Sequence, residues 1–161
     1  MAFETAHALR AQGMTQPVLI FASALPAPDI PYQKQPLSKL SDGDLIASVA
    51  AQYGDTFGAV SDDPELLASS VAAFRSDFGM VEAYRYIAER PPDAAITALG
   101  GVDDDIDIAE LAAWRRHSAA AFDLRPFPGG HFYFRDHREL MLASIRAALA
   151  GIRDESGSGA L

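Results

Sequence analysis

The sequence predicts an α/β fold with about three parallel strands, because strand patterns alternate with helix patterns along the chain. Residues 18–22 and 95–99 are continuous apolar runs, typical of strands that are covered on both faces. Residues 122–127 form a third strand pattern that is more polar. Strands separated by helices in this order indicate parallel pairing, with helices on both faces of the sheet.

Turn residues and apolar spacing predict five helices. They cover residues 3–12, 41–53, 64 to about 89, 108–121 and 140–149. Gly54 follows the end of the second helix, and Pro64 stands at the first position of the third, where its missing N–H costs nothing. We expect a break in the third helix near Gly79. A capping box of Asp136 and Glu139 precedes the last helix.

The largely helical block from about residue 26 to 92 interrupts the alternation after the first strand. It begins in a proline-rich loop, in which no regular element can persist. An insertion at the carboxyl ends of the strands lies where open α/β sheets bind ligands, so we predict that it is a lid. The chain is then one domain over residues 1–150, with the lid at 26–92, followed by a flexible tail at 151–161.

Composition excludes several classes of partner. The 161 residues carry 22 acidic and 13 basic side chains, a formal net charge of −9, which argues against nucleic acid or an anionic membrane as partner. The absence of cysteine excludes disulfides and thiolate metal sites. No apolar run is long enough to span a membrane and no export signal is visible, so we expect a cytoplasmic protein.

The acidic run at residues 103–107 does not predict a calcium site. A loop of the EF-hand type starting at Asp103 needs glycine at its sixth position and glutamate at its twelfth, where this chain has Ile108 and Trp114. We therefore predict neither a metal nor another cofactor.

A histidine on a glycine-rich loop is the strongest sign of chemistry in the chain. His131 follows Gly129 and Gly130, and the acidic residues Asp103 and Asp104 lie on an earlier loop. A carboxylate that accepts the Nδ1 proton of an imidazole orients the ring and stabilises the imidazolium that forms during catalysis. The nucleophile that such a histidine would activate is not evident, since no Gly-x-Ser-x-Gly motif and no cysteine occurs.

We interpret the remaining histidines and the aromatic residues next to His131 as parts of the fold rather than of a site. We expect His7, His117 and His137 at helix surfaces. The aromatic residues 132–134 are expected to pack around the histidine loop.

An ordered set of short motifs resembles one protein family. The motifs are Ala-Phe-Glu at 2–4, Ala-Leu-Pro-Ala-Pro at 24–28, Leu-Ser-Asp at 40–42, Asp-Pro-Glu-Leu-Leu at 63–67, Phe-Arg-Ser-Asp-Phe at 74–78, Gly-Gly-x-x-Asp at 100–104, Trp114, and Pro-Gly-Gly-His-Phe at 128–132. Over residues 1–150 the chain resembles the C-terminal part of the type II thioesterases of polyketide and nonribosomal peptide synthesis, which have the α/β-hydrolase fold.

This resemblance implies a serine hydrolase that cleaves acyl groups from the phosphopantetheine arm of acyl or peptidyl carrier proteins, and so edits the synthases. His131 matches the general base of the family. Asp104 matches the orienting acid when the strand end is counted from Gly101, whereas counting from Gly100 would select Asp103.

The resemblance also implies that the nucleophile is missing from the chain. In the family, Ala-Phe-Glu lies on the helix that directly follows the nucleophile serine, and Met1 stands within that helix. We therefore expect a fragment without the serine and the oxyanion hole, produced by a mis-assigned start codon or a truncated gene. Such a fragment is expected to be inactive alone.

Two other functions stay open. The chain could be a non-catalytic module that binds carrier proteins, for which Arg115 and Arg116 offer a small basic patch, although a solvated helix face explains them equally well. It could also be an α/β-hydrolase esterase of another subgroup that acts on free small substrates. The family-like order of the motifs in the lid region argues against the esterase.

Overall fold

The computed structural model of the chain describes residues 1–32, 35–54 and 56–157, with side chains described through residue 152. The helices and strands, in chain order, are α1 (Ala2–Ala11), β1 (Leu19–Ser23), α2 (Asp42–Tyr53), α3 (Pro64–Ala83), β2 (Ala95–Gly101), α4 (Ile108–Ala112), β3 (Phe122–Phe127), α5 (Tyr133–Asp136) and α6 (Arg138–Gly157). Single 3₁₀ turns occur at Leu37–Lys39, Gly58–Val60 and Ala113–His117. The chain divides into two compact units, one of Met1–Ile30 with Ala88–Leu161 and one of Pro31–Ile87.

The three strands of the first unit form a parallel sheet in the order β1-β2-β3, which confirms the predicted class. Leu19 lies opposite Ala95, and Ile96 lies opposite Phe122. The central strand β2 is buried from its second residue to its end, as its apolar sequence predicts. Within the described residues β3 is at an edge, where Pro126 is tolerated because an edge strand leaves one side of its backbone unpaired.

Helix α1 packs against the segment that follows α4. The ring of Phe3 makes edge-to-face contacts with Trp114 and His117, at centroid distances of 5.5 and 5.6 Å. The indole N–H of Trp114 donates to the carbonyl of Leu25, 2.9 Å away, so the loop after β1 joins the same cluster. Each of these three rings is at most 5% exposed.

The predicted helix at 108–121 is wrong in its second half. Regular helix ends at Ala112, and the chain continues as a 3₁₀ turn over Ala113–His117. Residues three apart lie on one face in a 3₁₀ turn, so the tighter winding buries Trp114 and His117 together. The tertiary contacts of these two side chains therefore decide where the α-helix stops.

The second unit has its own hydrophobic core. Leu45 and Val49 of α2 pack with Phe57 and with Val71 of α3. Arg75 and Glu82 lie seven residues apart on one face of α3. Arg75 donates to the carbonyls of residues 38 and 40, and Glu82 accepts hydrogen bonds from the backbone N–H and the hydroxyl of residue 38. These contacts hold the 3₁₀ turn at Leu37–Lys39 against α3.

Two predicted helix boundaries need correction. Helix α3 runs through Gly79 without a break and ends at Ala83 rather than near residue 89. Glycine adopts helical angles readily, and a Cβ at this position would meet only the side chain of Ser38, at 3.8 Å. The last helix, α6, begins at Arg138 and extends to Gly157, so it includes part of the predicted tail. The rest of that tail, residues 158–161, lies outside the described residues.

None of the helices in the described ranges is both long and apolar enough to cross a membrane.

Candidate active site

The predicted histidine lies on the short loop between β3 and α5. Gly129 precedes it with φ +93°, a left-handed conformation that glycine adopts without strain. The carbonyl of Gly130 accepts a hydrogen bond from the backbone N–H of Tyr133, 3.1 Å away. This bond closes a turn around His131, whose side chain is 28% exposed.

The structure brings His131 and Asp104 together. The Nδ1 atom of the imidazole lies 3.0 Å from Oδ2 and 3.3 Å from Oδ1 of the carboxylate. An ionised carboxylate only accepts hydrogen bonds, so the Nδ1–H tautomer fits this contact and leaves the Nε2 lone pair as the basic site. The Asp104 side chain is 4% exposed, which shields the carboxylate from competing water.

Asp103, the alternative acid, has a different place. Its backbone N–H donates to the carbonyl of Gly129 at 3.0 Å, and the residue as a whole is exposed. One step earlier, the N–H of Val102 donates to the carbonyl of Phe127 at 2.9 Å. The backbone at 102–103 thus fastens the acid loop to the histidine loop, and the next side chain, Asp104, meets the imidazole.

Two glycines at the end of β2 permit this close approach. A Cβ on Gly101 would collide with the carbonyl oxygens of Gly129 and Gly130, and one on Gly100 would collide with the side chain of Leu111. The collision at Gly101 involves backbone, which cannot turn aside as a flexible side chain can. Gly101 therefore sets the spacing between the acid loop and the histidine loop.

Aromatic rings pack around the histidine loop, as predicted. Phe132 meets the imidazole edge-to-face at 5.3 Å, and the guanidinium of Arg135 lies 4.1 Å from the Phe132 ring centroid. Tyr133 is 1% exposed and stacks on Phe127 at 4.8 Å. Its hydroxyl lies 2.7 Å from the hydroxyl oxygen of Ser23, a contact that sequence reasoning missed. The sequence signal for this contact was a tyrosine at a position expected to pack among apolar side chains, because a buried hydroxyl needs a hydrogen-bond partner.

The surface positions predicted for two histidines are wrong. His7 is 9% exposed, with Nδ1 3.0 Å from the carboxylate of Glu89, and His117 is 3% exposed, with Nε2 2.8 Å from Asp29. Apolar contacts with Phe3 draw both rings inward. His137 is partly buried at the junction of α5 and α6.

The arginine pair at 115–116 is engaged within the chain. Arg116 donates through Nε and Nη2 to one carboxylate oxygen of Asp29, at 3.1 and 2.7 Å. The guanidinium of Arg115 lies 4.8 Å from the ring centroid of Phe122. In the ranges that the structure covers, no three His, Asp or Glu side chains are grouped closely enough to hold a metal.

Comparison with known families identifies the family of the chain. The sequence model of the thioesterase domain matches residues 1–149. The chain belongs to the thioesterase family. The family match covers both strand-end loops that carry the His131–Asp104 pair.

Individual relatives of this thioesterase-family chain come from antibiotic pathways. Linear gramicidin dehydrogenase LgrE of Brevibacillus parabrevis is 32% identical over 152 residues, which are 92% of the chain and 58% of the relative. The probable cadicidin biosynthesis thioesterase of Streptomyces griseus is 31% identical over 150 residues, 92% of the chain and 41% of the relative. The chain thus spans only 41% to 58% of these two relatives.

A solved structure supports the same assignment. The type II thioesterase BorB from the borrelidin biosynthetic cluster superimposes with a TM-score of 0.78 at 32% identity, over 91% of this chain and 59% of that one. The predicted resemblance to type II thioesterases and the α/β-hydrolase class of the sheet are thereby confirmed.

Proposed function

We propose that this chain provides the general base and the orienting acid of a thioesterase that removes acyl groups from the phosphopantetheine arm of carrier proteins. The hydrogen bond between His131 Nδ1 and Asp104 carries the proposal, because it is the arrangement that a catalytic imidazole needs. The antibiotic-pathway relatives support a carrier-bound acyl or peptidyl group as the substrate.

The proposed chemistry assigns two proton transfers to His131 in each half of the reaction. Nε2 accepts the proton of a serine hydroxyl as its oxygen attacks the thioester carbonyl, and it then donates that proton to the departing pantetheine thiol. In the second half, water attacks the acyl-serine ester, giving its proton to His131, which returns a proton to the serine as the free acid leaves. Asp104 stays ionised throughout and stabilises the imidazolium.

We place the serine in a segment that precedes α1 in the whole protein. The relatives described above extend well beyond the matched region, and the chain itself offers neither a nucleophile motif nor a cysteine. The 161-residue polypeptide on its own is then expected to hydrolyse thioesters poorly, because a base without its nucleophile leaves little catalysis.

We also propose that the helical unit Pro31–Ile87 is the lid of this site. Its separate hydrophobic core and the proline-rich sequence at its start support a unit that can move as one body. Lids of this kind admit the substrate and then exclude water.

The decisive experiment begins with the DNA upstream of codon 1, where an in-frame Gly-x-Ser-x-Gly codon run is expected. The extended protein is then assayed for hydrolysis of an acyl-pantetheine and of an acyl carrier protein. Replacing the base in H131A should abolish turnover, and D104N should lower it by roughly 10²- to 10⁴-fold. D103N is the matched control and should retain activity. The proposal requires a contact between the imidazole and Asp104, and the Asp103 side chain has no part in that contact.

The same assay separates the alternatives. Turnover that survives H131A would overturn the proposal. Binding of the acyl carrier protein without hydrolysis would indicate the binding module, and hydrolysis of free p-nitrophenyl esters alone would indicate an esterase of another subgroup.

A further inference from the structure

A buried pair of hydroxyl groups lies beside the histidine loop. The Tyr133 hydroxyl and the Ser23 hydroxyl are 2.7 Å apart, so either group can donate to the other. Tyr133 is two residues after His131 and opens α5, whereas Ser23 is the last residue of β1. The contact therefore joins parts of the chain that are 110 residues apart in sequence.

This contact crosses the end of the sheet. The Tyr133 ring stacks on Phe127, the last residue of β3, and packs with Leu99 of the middle strand. Its hydroxyl then reaches Ser23 on β1. Neighbouring strands lie about 4.8 Å apart, so β3 and β1 are separated by on the order of 10 Å, and the contacts of Tyr133 with Phe127 and Ser23 together cover this separation. One side chain thus ties all three strand ends together.

The serine end of the contact is fixed by the backbone. Ala24, directly after Ser23, has φ +48°, a left-handed conformation that a residue with a Cβ rarely adopts. The Ala24 N–H donates to the carbonyl of Leu99 at 2.9 Å, which holds this turn against the middle strand. Strained backbone of this kind persists where its surroundings over-determine it.

The tyrosine end lies in the electrostatic field of the acid. Burial raises the pKa of Tyr133, the hydrogen bond with Ser23 lowers it, and the nearby Asp104 carboxylate raises it, with a net rise above the ordinary value of 10.0. The phenol therefore keeps its proton at neutral pH and can donate it to Ser23.

We propose that Tyr133 and Ser23 are positioning residues, which hold the glycine loop so that His131 Nδ1 stays on Asp104. The loop needs such a support because Gly129 and Gly130 have more backbone freedom than other residues. Tyr133 is joined to His131 through Phe132 and through its own N–H bond to Gly130, so a fixed phenol limits how far the imidazole can swing. The catalytic meaning of this support rests on the proposed function, but the support itself is a property of the free chain.

The test uses the 161-residue chain with ¹⁵N-labelled histidine and measures which ring nitrogen of His131 carries the proton. The parent should show mainly the Nδ1–H tautomer, with a slowly exchanging proton. Y133F and S23A, which each remove one hydroxyl, should lower the ratio of Nδ1–H to Nε2–H tautomer by about twofold or more, the factor expected for one net hydrogen bond. In both variants the Nδ1 proton of His131 should also exchange faster with water than in the parent.

Three further variants separate positioning from general stability. The double variant Y133F/S23A should match the single variants, because both remove the same contact. S23T keeps a hydroxyl and should restore the parent ratio, and S118A, which removes a hydroxyl that donates to the carbonyl of Ala94, should leave it unchanged. A parent-like His131 tautomer in Y133F and S23A, with only a lower unfolding midpoint, would overturn the proposal.

No substrate enters this measurement, so it stands or falls separately from the thioesterase activity. If the extended protein proves inactive while the tautomer shifts as expected, the positioning role holds and the proposed function fails. An active enzyme with an unmoved tautomer gives the reverse result.

Discussion

Gly101 shows how a single hydrogen atom in place of a side chain decides the geometry of the His131–Asp104 pair. The carbonyl groups of Gly129 and Gly130 occupy the space in which a Cβ at this position would lie. We predict that G101A pushes the histidine loop away from the acid loop and lowers the free energy of unfolding by about 1–3 kcal/mol, the usual cost of overpacking. Chemical denaturation measures the loss, and the His131 tautomer measures the displacement.

Gly43 provides the matched control. It lies in α2 with nothing within 4 Å of the position of an added Cβ. G43A should therefore be neutral or stabilise the chain by roughly 0.5–1 kcal/mol, because alanine favours a helix over glycine. Equal stability of G101A and the parent would contradict the steric argument.

The contact between His131 and Asp104 was predictable at the residue scale, and the hydroxyl contact beside it was not. The motif around His131 and the spacing of Asp104 are local in the sequence. The hydroxyl contact between Tyr133 and Ser23 depends on three strand ends meeting, which no local pattern encodes. The choice between Asp103 and Asp104 also needed the structure, because adjacent loop residues differ only in the direction of their side chains.

At the scale of elements, Asp29 links the loop after β1 to the 3₁₀ turn after α4. One carboxylate oxygen faces His117 and the other accepts from Arg116. Burial raises the pKa of this carboxyl, but the hydrogen bonds and positive charge of His117 and Arg116 outweigh burial and lower it below 3.8. A carboxyl whose pKa is lowered in the folded state stabilises the fold at pH values above its ordinary pKa. This stabilisation is lost as the pH falls through the folded-state pKa.

We predict that D29N lowers the free energy of unfolding by roughly 1.5–3 kcal/mol at pH 5 and above, the range for hydrogen bonds to charged groups. Below pH 3.8 the difference from the parent should shrink, because the parent carboxyl also becomes neutral. Denaturation curves of both proteins at pH values from about 2.5 to about 6, on both sides of the ordinary carboxyl pKa, measure how the stability difference changes.

Asp93 serves as the control at this scale, since its pairing with Arg90 joins two side chains that are 59% and 73% exposed. D93N should cost at most about 1 kcal/mol. A D29N deficit that stays constant down to the lowest pH would contradict the assignment of Asp29 as the ionised partner.

The elements themselves were largely predictable, and the early end of one predicted helix has a tertiary cause. Strands and helix starts follow from apolar runs and capping residues, which act locally. The helix at 108–121 ends early because Trp114 and His117 are drawn into contacts with α1 and with the loop after β1. Tertiary contacts override helix propensity at such ends.

At the scale of the whole molecule, the free edge of β1 is the feature with the largest consequence. Within the described residues this strand pairs with β2 on one side only. Val18, just before it, is 65% exposed, and residues 18–22 include no charge to discourage pairing with another chain. We predict that the 161-residue chain associates through this edge, and that light scattering gives a dimer or larger species.

A lysine at the edge should weaken this association. V18K is expected to shift the chain toward a monomer, because a charged edge residue opposes strand addition. L149K, which makes a comparable change at a 47% exposed position on α6, should leave the association unchanged. A parent chain that is already monodisperse and monomeric, with one sharp thermal transition, would refute the prediction.

The parallel order of the strands followed from the alternation of patterns, because a helical crossover leaves little choice of strand direction. The division of the chain at Pro31 and Ile87 was less accessible. Prolines mark the approach to the helical block, but the cores that separate the two units form only when α2 and α3 pack.

Trp114, which the fold buries under Phe3, is the chain's single tryptophan. Its fluorescence therefore reports on the first unit alone, without any label, whereas far-ultraviolet circular dichroism also records the helices of Pro31–Ile87. When one sample is heated and both signals are followed, the two melting curves measure the thermodynamic coupling of the two units. Coincident curves mean that they melt as one cooperative body, and separated curves give the stability of each.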